Sequence, residues 1–444
     1  MTSSQRKLLL AFYGDDFTGS TDALEFLSKA GARTVLFIEP PTVEQLIRYE
    51  DLDAIGVAGM TRSMIPDEME KVLRPAFIKL KGLGAKHVHY KVCSTFDSSP
   101  SIGSIGKAID VGAEIFPNEF LPLLVAAPTL GRYCVFGSLF AQMGIGSKGK
   151  IYRLDRHPSM SKHPVTPSDE SDLCLHLSKQ TNKQIGLVDI LQIDDEDRTK
   201  KMLHKEIKNR NEVILFDALH ENQMMGIGKL IDSYASEEKP LFSVGSSGIE
   251  MALGNYWKES GLLKEQQHWL SPLPAKVLLV VSGSCSPVTS GQIAWALKNR
   301  FTEIVLDTNA LVNGDASSLK ENISSAIKNI TEGKSVIVHT NCGNADAIDI
   351  TNTSEIFGTA LGKIIRAIAK QTSIKRIVIA GGDTSSYAAR AMGIEAVEMI
   401  APLSPGAPLC KAFAPGSPVD GLEINFKGGQ VGSEDYFGMV LNGK

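Results

Sequence analysis

The sequence predicts an α/β protein of two domains, each built on a largely parallel sheet with crossover helices. Short apolar runs rich in Val, Ile and Leu alternate with amphipathic segments, the pattern of parallel strands joined by helices. The alternation continues over almost all of the 444 residues, a length that suits two or three domains with sizeable cores. It breaks at 262–275, LLKEQQHWLSPLPA, where two prolines and a polar run fit neither the strand nor the helix period. The domains are therefore expected at about 1–262 and 270–444.

In the first domain the apolar runs predict strands over 8–13, 34–38, 54–58, 88–92, 121–126, 185–187 and 213–216. Helices are expected over 21–30, 66–80 and 196–208. In the second domain strands are expected over 277–281, 303–306, 336–339 and 377–380, with a helix over 356–370. No repeat of fixed period and no low-complexity tract interrupts this series.

Composition narrows the function classes. Hydrophobic residues make up 43%, charged residues 22%, and the formal net charge is -4. These values argue against disorder and fibrous repeats, and they lack the basic footprint of a nucleic-acid binder. No run approaches the 18 apolar residues of a membrane span, and the apolar run near the start breaks after six residues at Gly14, Asp15 and Asp16. A soluble, cytoplasmic protein without nucleic-acid or membrane partners is expected. The six cysteines have no CxxC spacing and read as free thiols.

Ligands of open α/β sheets collect at the carboxyl ends of strands, so the residues just after each apolar run carry the information. After the first run comes GDDFTGSTD at 14–22, where Asp15 and Asp16 could bind hydroxyls, hold Mg²⁺ or accept a proton. A turn with Ser20 or Thr21 capping the helix is the structural alternative. After the third run comes Arg62, able to grip a carboxylate through two parallel hydrogen bonds. After 88–92 come Cys93, Thr95 and Asp97, with Lys91 at the strand end. Together these clusters suggest a pocket for a small polyhydroxylated acid.

The second domain differs. The run at 277–281 leads into Ser282-Gly283-Ser284-Cys285-Ser286, with a helix expected from about Thr289. The run at 377–380 leads into Gly381-Gly382-Asp383-Thr384-Ser385-Ser386 before a helix over 387–392. A third cluster, with Gly428, Gly429 and Gly432, lies near the end. Small residues before a helix let backbone amides cradle an anion, so these loops point to a nucleotide.

Two other patterns carry no chemistry. GIGSKGKI at 144–151 imitates a phosphate loop, but Ile151 replaces the metal-binding Ser or Thr and no helix follows. His87 and His89 share a strand face without a third ligand and read as ordinary strand histidines.

The motifs in combination resemble the four-carbon acid sugar kinase family. The resemblance rests on GDDFTGSTD at 14–22, MTRS at 60–63, KVCSTFDSSPSIGSIG at 91–106 and MSKHPVTP at 160–167. In the second half it rests on VVSGSCSPVTSGQI at 280–293, IAGGDTSSYAARAMG at 379–393 and FKGGQVGSEDYF at 426–437. Departures from the family pattern are Ser161 and Lys162 after Met160, Asp383 for a common Glu, Ser386 for Gly, and Gly428 for Ser.

The resemblance implies an acid-sugar domain followed by an ATP domain, with Mg²⁺-assisted transfer to a terminal hydroxyl of threonate, erythronate or 3-oxo-tetronate in the cleft between them. By motif, Asp15, Asp16, Arg62, Lys91, Thr95 and Asp97 meet the substrate, and Ser284, Gly381, Gly382, Asp383, Thr384 and Gly429 meet the nucleotide. The expected roles are Arg62 with Lys91 on the substrate carboxylate and Asp16, ahead of Asp97, as the proton acceptor. The expected partners are the acid and ATP, with a homodimer as one option for assembly. A nicotinamide-dependent hydroxy-acid oxidoreductase and a non-catalytic sugar-acid sensor are the alternatives; no GxGxxG opens a helix after a strand, which disfavours the first.

Overall fold

The computed structural model describes residues 8–143, 149–163, 165–264, 269–284, 286–340 and 353–444. The chain divides into two compact units, Met1–Val35 with Glu39–Gln267, and Leu36–Ile38 with His268–Lys444. The phosphate-loop imitation at 144–151 lies largely outside the described residues, as do Cys285 and Cys342.

The first unit contains β1 (Leu10–Gly14), β3 (Ala54–Ala58), β4 (His87–Lys91), β5 (Leu121–Leu124), β9 (Ile185–Val188), β10 (Val213–Phe216) and β11 (Leu241–Gly245), while β2 (Thr34–Phe37) straddles the division between units. Their order is β3-β1-β4-β11-β5-β10-β9, and every pairing is parallel. A separate antiparallel sheet comprises β6 (Arg132–Val135), β7 (Ser138–Gln142) and β8 (Ile151–Arg153). Both faces of the central strands are covered by crossover helices, so β1, β3 and β4 are buried throughout. Where a side chain would obstruct packing the chain uses glycine: a Cβ on Gly56 would stand 2.1 Å from the Phe12 ring, and one on Gly112 would stand 2.0 Å from the Phe242 ring.

The second unit carries β12 (Leu278–Ser282), β13 (Thr302–Leu306), β14 (Val336–Thr340), β15 (Arg376–Ala380), β16 (Ala396–Ser404), β17 (Ala407–Phe413) and β18 (Glu423–Lys427). The order β13-β14-β12-β15-β18 is parallel, and β17 and β16 continue it antiparallel. Leu278, Val280, Ile337, Val378, Phe437 and Val440 form its core. The segment before β12 is tied down by buried Arg376, which bonds Leu273 O at 2.8 Å, Val440 O at 2.8 Å and Glu423 at 2.6 Å.

The α/β architecture and its parallel order agree with the sequence reading, but several elements differ. The helix expected near Thr289 spans Pro287–Lys298, because Ser286 caps it and Pro287 suits the first turn. The helix expected over 387–392 spans Gly382–Met392, since small polar residues after Gly381 suit a first turn, with the Ser385 amide closing it onto Gly381 O at 2.9 Å. Strands β6, β7, β11 and β16 to β18 were not expected, whereas β8 falls where the sequence IYR reads as a strand. Of the cysteines, Cys93, Cys134, Cys174 and Cys410 are free.

Candidate functional site

Parallel register aligns the ends of four neighbouring strands in the first unit. Gly14 pairs with Ala58 and Lys91, and Lys91 pairs with Gly245. The loops after β1, β3, β4 and β11 therefore leave the sheet at one edge, bringing Asp15 and Asp16 together with Arg62 and the segment 93–98. Gly14 permits the first turn: a Cβ there would fall 1.9 Å from Ser20 Oγ.

Asp16 caps the helix Phe17–Ala30. Its Oδ1 accepts from the Gly19 amide at 2.7 Å, and its Oδ2 accepts from Thr18 Oγ1 at 2.8 Å. Arg62 spans both carboxylates. Its Nε and NH2 donate to Asp15 at 3.3 and 3.1 Å, and NH2 lies 2.8 Å from Asp16 Oδ1. The Cys93 amide adds a 3.4 Å contact to Asp15 Oδ2. Burial pushes the Asp15 carboxyl above its ordinary value, opposed by Arg62 and assisted by like-charge Asp16. The guanidinium expected to hold a substrate carboxylate is thus engaged by two carboxylates of its own chain.

Lys91 is buried beside this layer, donating to Val92 O at 2.9 Å and standing 3.9 Å from Asp22 Oδ2. Asp22 also accepts from Ser247 Oγ, and burial raises its carboxyl. Next to it, His89 Nε2 and Glu250 Oε1 are 3.6 Å apart, both fully buried. Burial drives His89 down to about 3 and Glu250 up to about 8, so both are neutral at pH 7. His87 instead bonds Asp232 at 3.0 Å and packs on Trp257.

The segment after β4 turns sharply at Phe96, whose φ of 56° lies in the left-handed region and whose ring is buried against His176. Thr95 Oγ1 lies 3.0 Å from Cys93 Sγ, and burial pushes that thiol up to about 11, so it is not a thiolate. Asp97 differs from Asp15 and Asp16: its Oδ1 is buried with no hydrogen-bond partner, as are Oδ1 of Asp22 and both carboxyl oxygens of Glu250 deeper in the layer. Sequence reasoning missed Arg132, the first residue of β6, whose charge acts on Cys93, Asp97 and Asp22. Extending the strand-end rule from β5 through Gly131 would have reached it.

In the second unit, Ser282 pairs with Ala380 and Ala380 with Lys427, so all three glycine-bearing loops leave one sheet edge. They interlock. A Cβ on Gly283 would lie 2.5 Å from Thr384 Oγ1, and one on Gly429 would lie 2.9 Å from Ser284 Oγ. Gly381 has φ 121°, and Thr384 and Ser284 close on it. Under the loops Lys427 is fully buried, donating to Thr289 Oγ1 at 3.0 Å, and Thr289 donates to Gly429 O at 3.0 Å. Burial lowers Lys427 to about 7.

The described residues do not form a protein cage for Mg²⁺. No group of three or more His, Cys, Asp or Glu side chains among them is arranged to hold a metal, and Asp15 and Asp16 are committed to Arg62 and the helix cap.

One unit with a carboxylate and guanidinium cluster and another with three clustered glycine loops define a two-domain α/β protein for a polar small molecule and a nucleotide. Family comparison agrees: a sugar-binding N-terminal domain matches residues 10–253, and a nucleotide-binding C-terminal domain matches residues 279–437. The chain belongs to the four-carbon acid sugar kinase family.

The 3-oxo-isoapionate kinase of Paraburkholderia graminis is 41% identical, covering 98% of this chain and 95% of that protein. The 3-oxo-tetronate kinase of Pseudomonas fluorescens is 26% identical, covering 99% and 98%. The 3-oxo-tetronate kinase of Salmonella typhimurium is 27% identical, covering 97% and 98%. Crystal structures from Salmonella typhimurium LT2 and Haemophilus influenzae share the fold, with TM-scores of 0.77 and 0.72 at 24% and 23% identity. Each covers 97% of this chain and 98% of the other.

Proposed function

We propose that the chain is an ATP-dependent kinase that phosphorylates a terminal hydroxyl of a 3-oxo sugar acid. The 41% identity to a 3-oxo-isoapionate kinase makes that acid the first candidate, ahead of 3-oxo-tetronate, threonate and erythronate. The acid is assigned to the strand-end cluster of the first unit, and the nucleotide to the three loops of the second. A cytoplasmic setting supplies ATP, and no helix among the described residues is long and apolar enough to cross a membrane.

Asp97 is the observation that carries the mechanism. Asp15 and Asp16 already accept hydrogen bonds from Arg62 and the helix, whereas Asp97 Oδ1 is buried with none. An orphaned acceptor in such a place is satisfied by a ligand hydroxyl. Asp97 therefore orients the substrate hydroxyl and takes its proton as that oxygen bonds to the γ-phosphorus and the bond to the β-phosphate oxygen breaks, releasing ADP. Asp16, fixed by its cap, serves orientation instead of proton transfer. Thr95 lines the same segment, while buried Lys91 acts through Asp22 and Val92.

Amides of Gly382 to Thr384 and Gly429 receive the phosphates; those of Ser284 and Gly381 donate to Ser282 Oγ at 3.2 Å and Lys427 O at 2.9 Å and shape the loops around them. Mg²⁺ bound with ATP would supply charge neutralisation to the phosphates, and no described side chain is assigned to hold it.

An ADP-release assay over 3-oxo-isoapionate, 3-oxo-tetronate and both enantiomers of threonate and erythronate, with NMR location of the phosphate, tests the reading. Turnover with none of them removes it. Asp97→Asn is expected to lower kcat by roughly 100-fold or more with ADP binding unchanged; near-normal turnover passes the role to Asp16.

A further inference from the structure

Buried cations need an anion or a full set of acceptors. In the first unit Lys91 lies 3.9 Å from Asp22, and Arg62 meets Asp15 and Asp16. Arg132, only 5% exposed, has no carboxylate within 4.0 Å among the described residues. It is anchored by one nitrogen: NH1 donates to Leu130 O, Gly131 O and Gln142 O at 3.1, 3.3 and 3.0 Å. Its Nε is buried without a partner, and NH2 makes no hydrogen bond to the described residues. The guanidinium is therefore fixed at one corner, with the fork of Nε and NH2 still available.

The place of this fork is specific. Two backbone bonds join Arg132 to Ala127, just past the carboxyl end of β5, the same sheet edge that carries Asp15, Arg62 and Asp97. Burial lowers the guanidinium below its ordinary value, while Cys93, Asp97 and Asp22 act in the opposite direction, so these groups share one electrostatic compartment. Asp97 Oδ1 and Arg132 Nε are an orphaned acceptor and an orphaned donor within it, too far apart to form an ion pair. A ligand that satisfies both carries an anionic group at one end and a hydroxyl at the other.

We infer that Arg132 holds the carboxylate of the sugar acid through two parallel hydrogen bonds from Nε and NH2, the task that the sequence assigned to Arg62. This assignment rests on the sugar-acid kinase reading. A guanidinium fork matches a carboxylate bidentately, whereas an amine cannot reproduce both bonds. Arg62, occupied by Asp15 and Asp16, instead holds those two like charges together.

Two readouts on the full-length protein separate this assignment from the kinase reading. The first is the thermal shift produced by each acid without nucleotide, in the wild type, Arg132→Lys and Arg132→Gln. The wild type is expected to be stabilised by the acid and much less by its neutral amide. Both variants are expected to lose most of that difference while keeping their shift with ADP, which certifies that they fold.

The second readout is ADP release. Arg132→Gln is expected to raise KM for the acid by about 100-fold, with KM for ATP within about two-fold. Acid binding that depends on Arg132 without ADP release would retain the clamp and reject the kinase. An equal rise in both KM values, retained preference of the variants for acid over amide, or no stabilisation of the wild type by any acid of the panel would overturn the assignment. If Arg132→Gln fails to fold, the acid-to-amide preference of Arg132→Lys decides alone.

Discussion

Replacing Lys427 with Met tests how the nucleotide unit is held together. The ammonium is fully buried, with one hydroxyl, Thr289 Oγ1, as acceptor and the Tyr436 ring 5.7 Å from Nζ. Its fall from 10.5 to about 7 corresponds to a penalty of about 5 kcal/mol for the charged form, at about 1.4 kcal/mol per pH unit. The folded value lies below the unfolded one, so between pH 7 and 10.5 the unfolded chain binds the extra proton. Stability from this group therefore rises with pH across that window.

Thermal midpoints of wild type and Lys427→Met from pH 6 to 9 read the effect. Met fills similar space without a charge, so its own stability lacks this slope. Between pH 7 and 9 the wild type is expected to gain about 2 kcal/mol relative to the variant, roughly 4–8 °C for a unit of this size. Below pH 7 the difference levels off. A difference that stays flat from pH 6 to 9 would mean that the lysine keeps its charge throughout, and the burial argument would fail.

Two further outcomes follow from the geometry. Gly381→Ala places a Cβ 2.9 Å from Thr384 Oγ1 at φ 121°, and is expected to raise KM for ATP at least about ten-fold while leaving KM for the acid unchanged; steady-state kinetics with each substrate varied would expose an equal rise in both, which contradicts the loop assignment. Glu250 rises from 4.5 to about 8 by burial, so its favourable contribution is complete below pH 4.5 and is lost as pH climbs through 8. Glu250→Gln, a neutral stand-in, is expected to gain on the wild type by about 1.4 kcal/mol per pH unit between pH 5 and 8 in thermal midpoints, and a constant difference would mean an ionised Glu250.

The strand-end rule made much of the site legible, because register in a parallel sheet turns residues distant in sequence into neighbours at one edge. Gly14, Ala58 and Lys91 stand side by side for this reason, and so do Ser282, Ala380 and Lys427. What stayed hidden depended on alternation or on pairing. Strand β11, LFSVG, follows Pro240 and holds a serine, so its apolar run is too weak to register; Ser243 is there to meet His89. Strands β16 and β17 contain or adjoin Pro402, Pro405 and Pro408 and read as loop, although an antiparallel pair with shifted register accommodates them. Strand β7 alternates half-buried and buried residues over only five positions. A sequence displays cations but not which of them its own carboxylates neutralise, and so Arg62 drew the attention that Arg132 did not.

The capping bonds of Asp16 affect how substitutions at that position are read. One side chain starts the helix Phe17–Ala30 and faces Arg62. Loss of such a cap costs about 1 kcal/mol whatever the chemistry of the site. Selection for a stable fold would by itself favour an aspartate or asparagine at position 16, so a carboxylate there is no measure of catalysis. Asp16→Ala combines a weakened helix start with an altered site, while Asp16→Asn preserves an acceptor for the Gly19 amide and gives up the charge and the acceptor that meets Thr18 Oγ1. The activity of Asp16→Asn relative to wild type, corrected for folded fraction, reads what the carboxylate contributes, and that of Asp16→Ala relative to Asp16→Asn reads the cap.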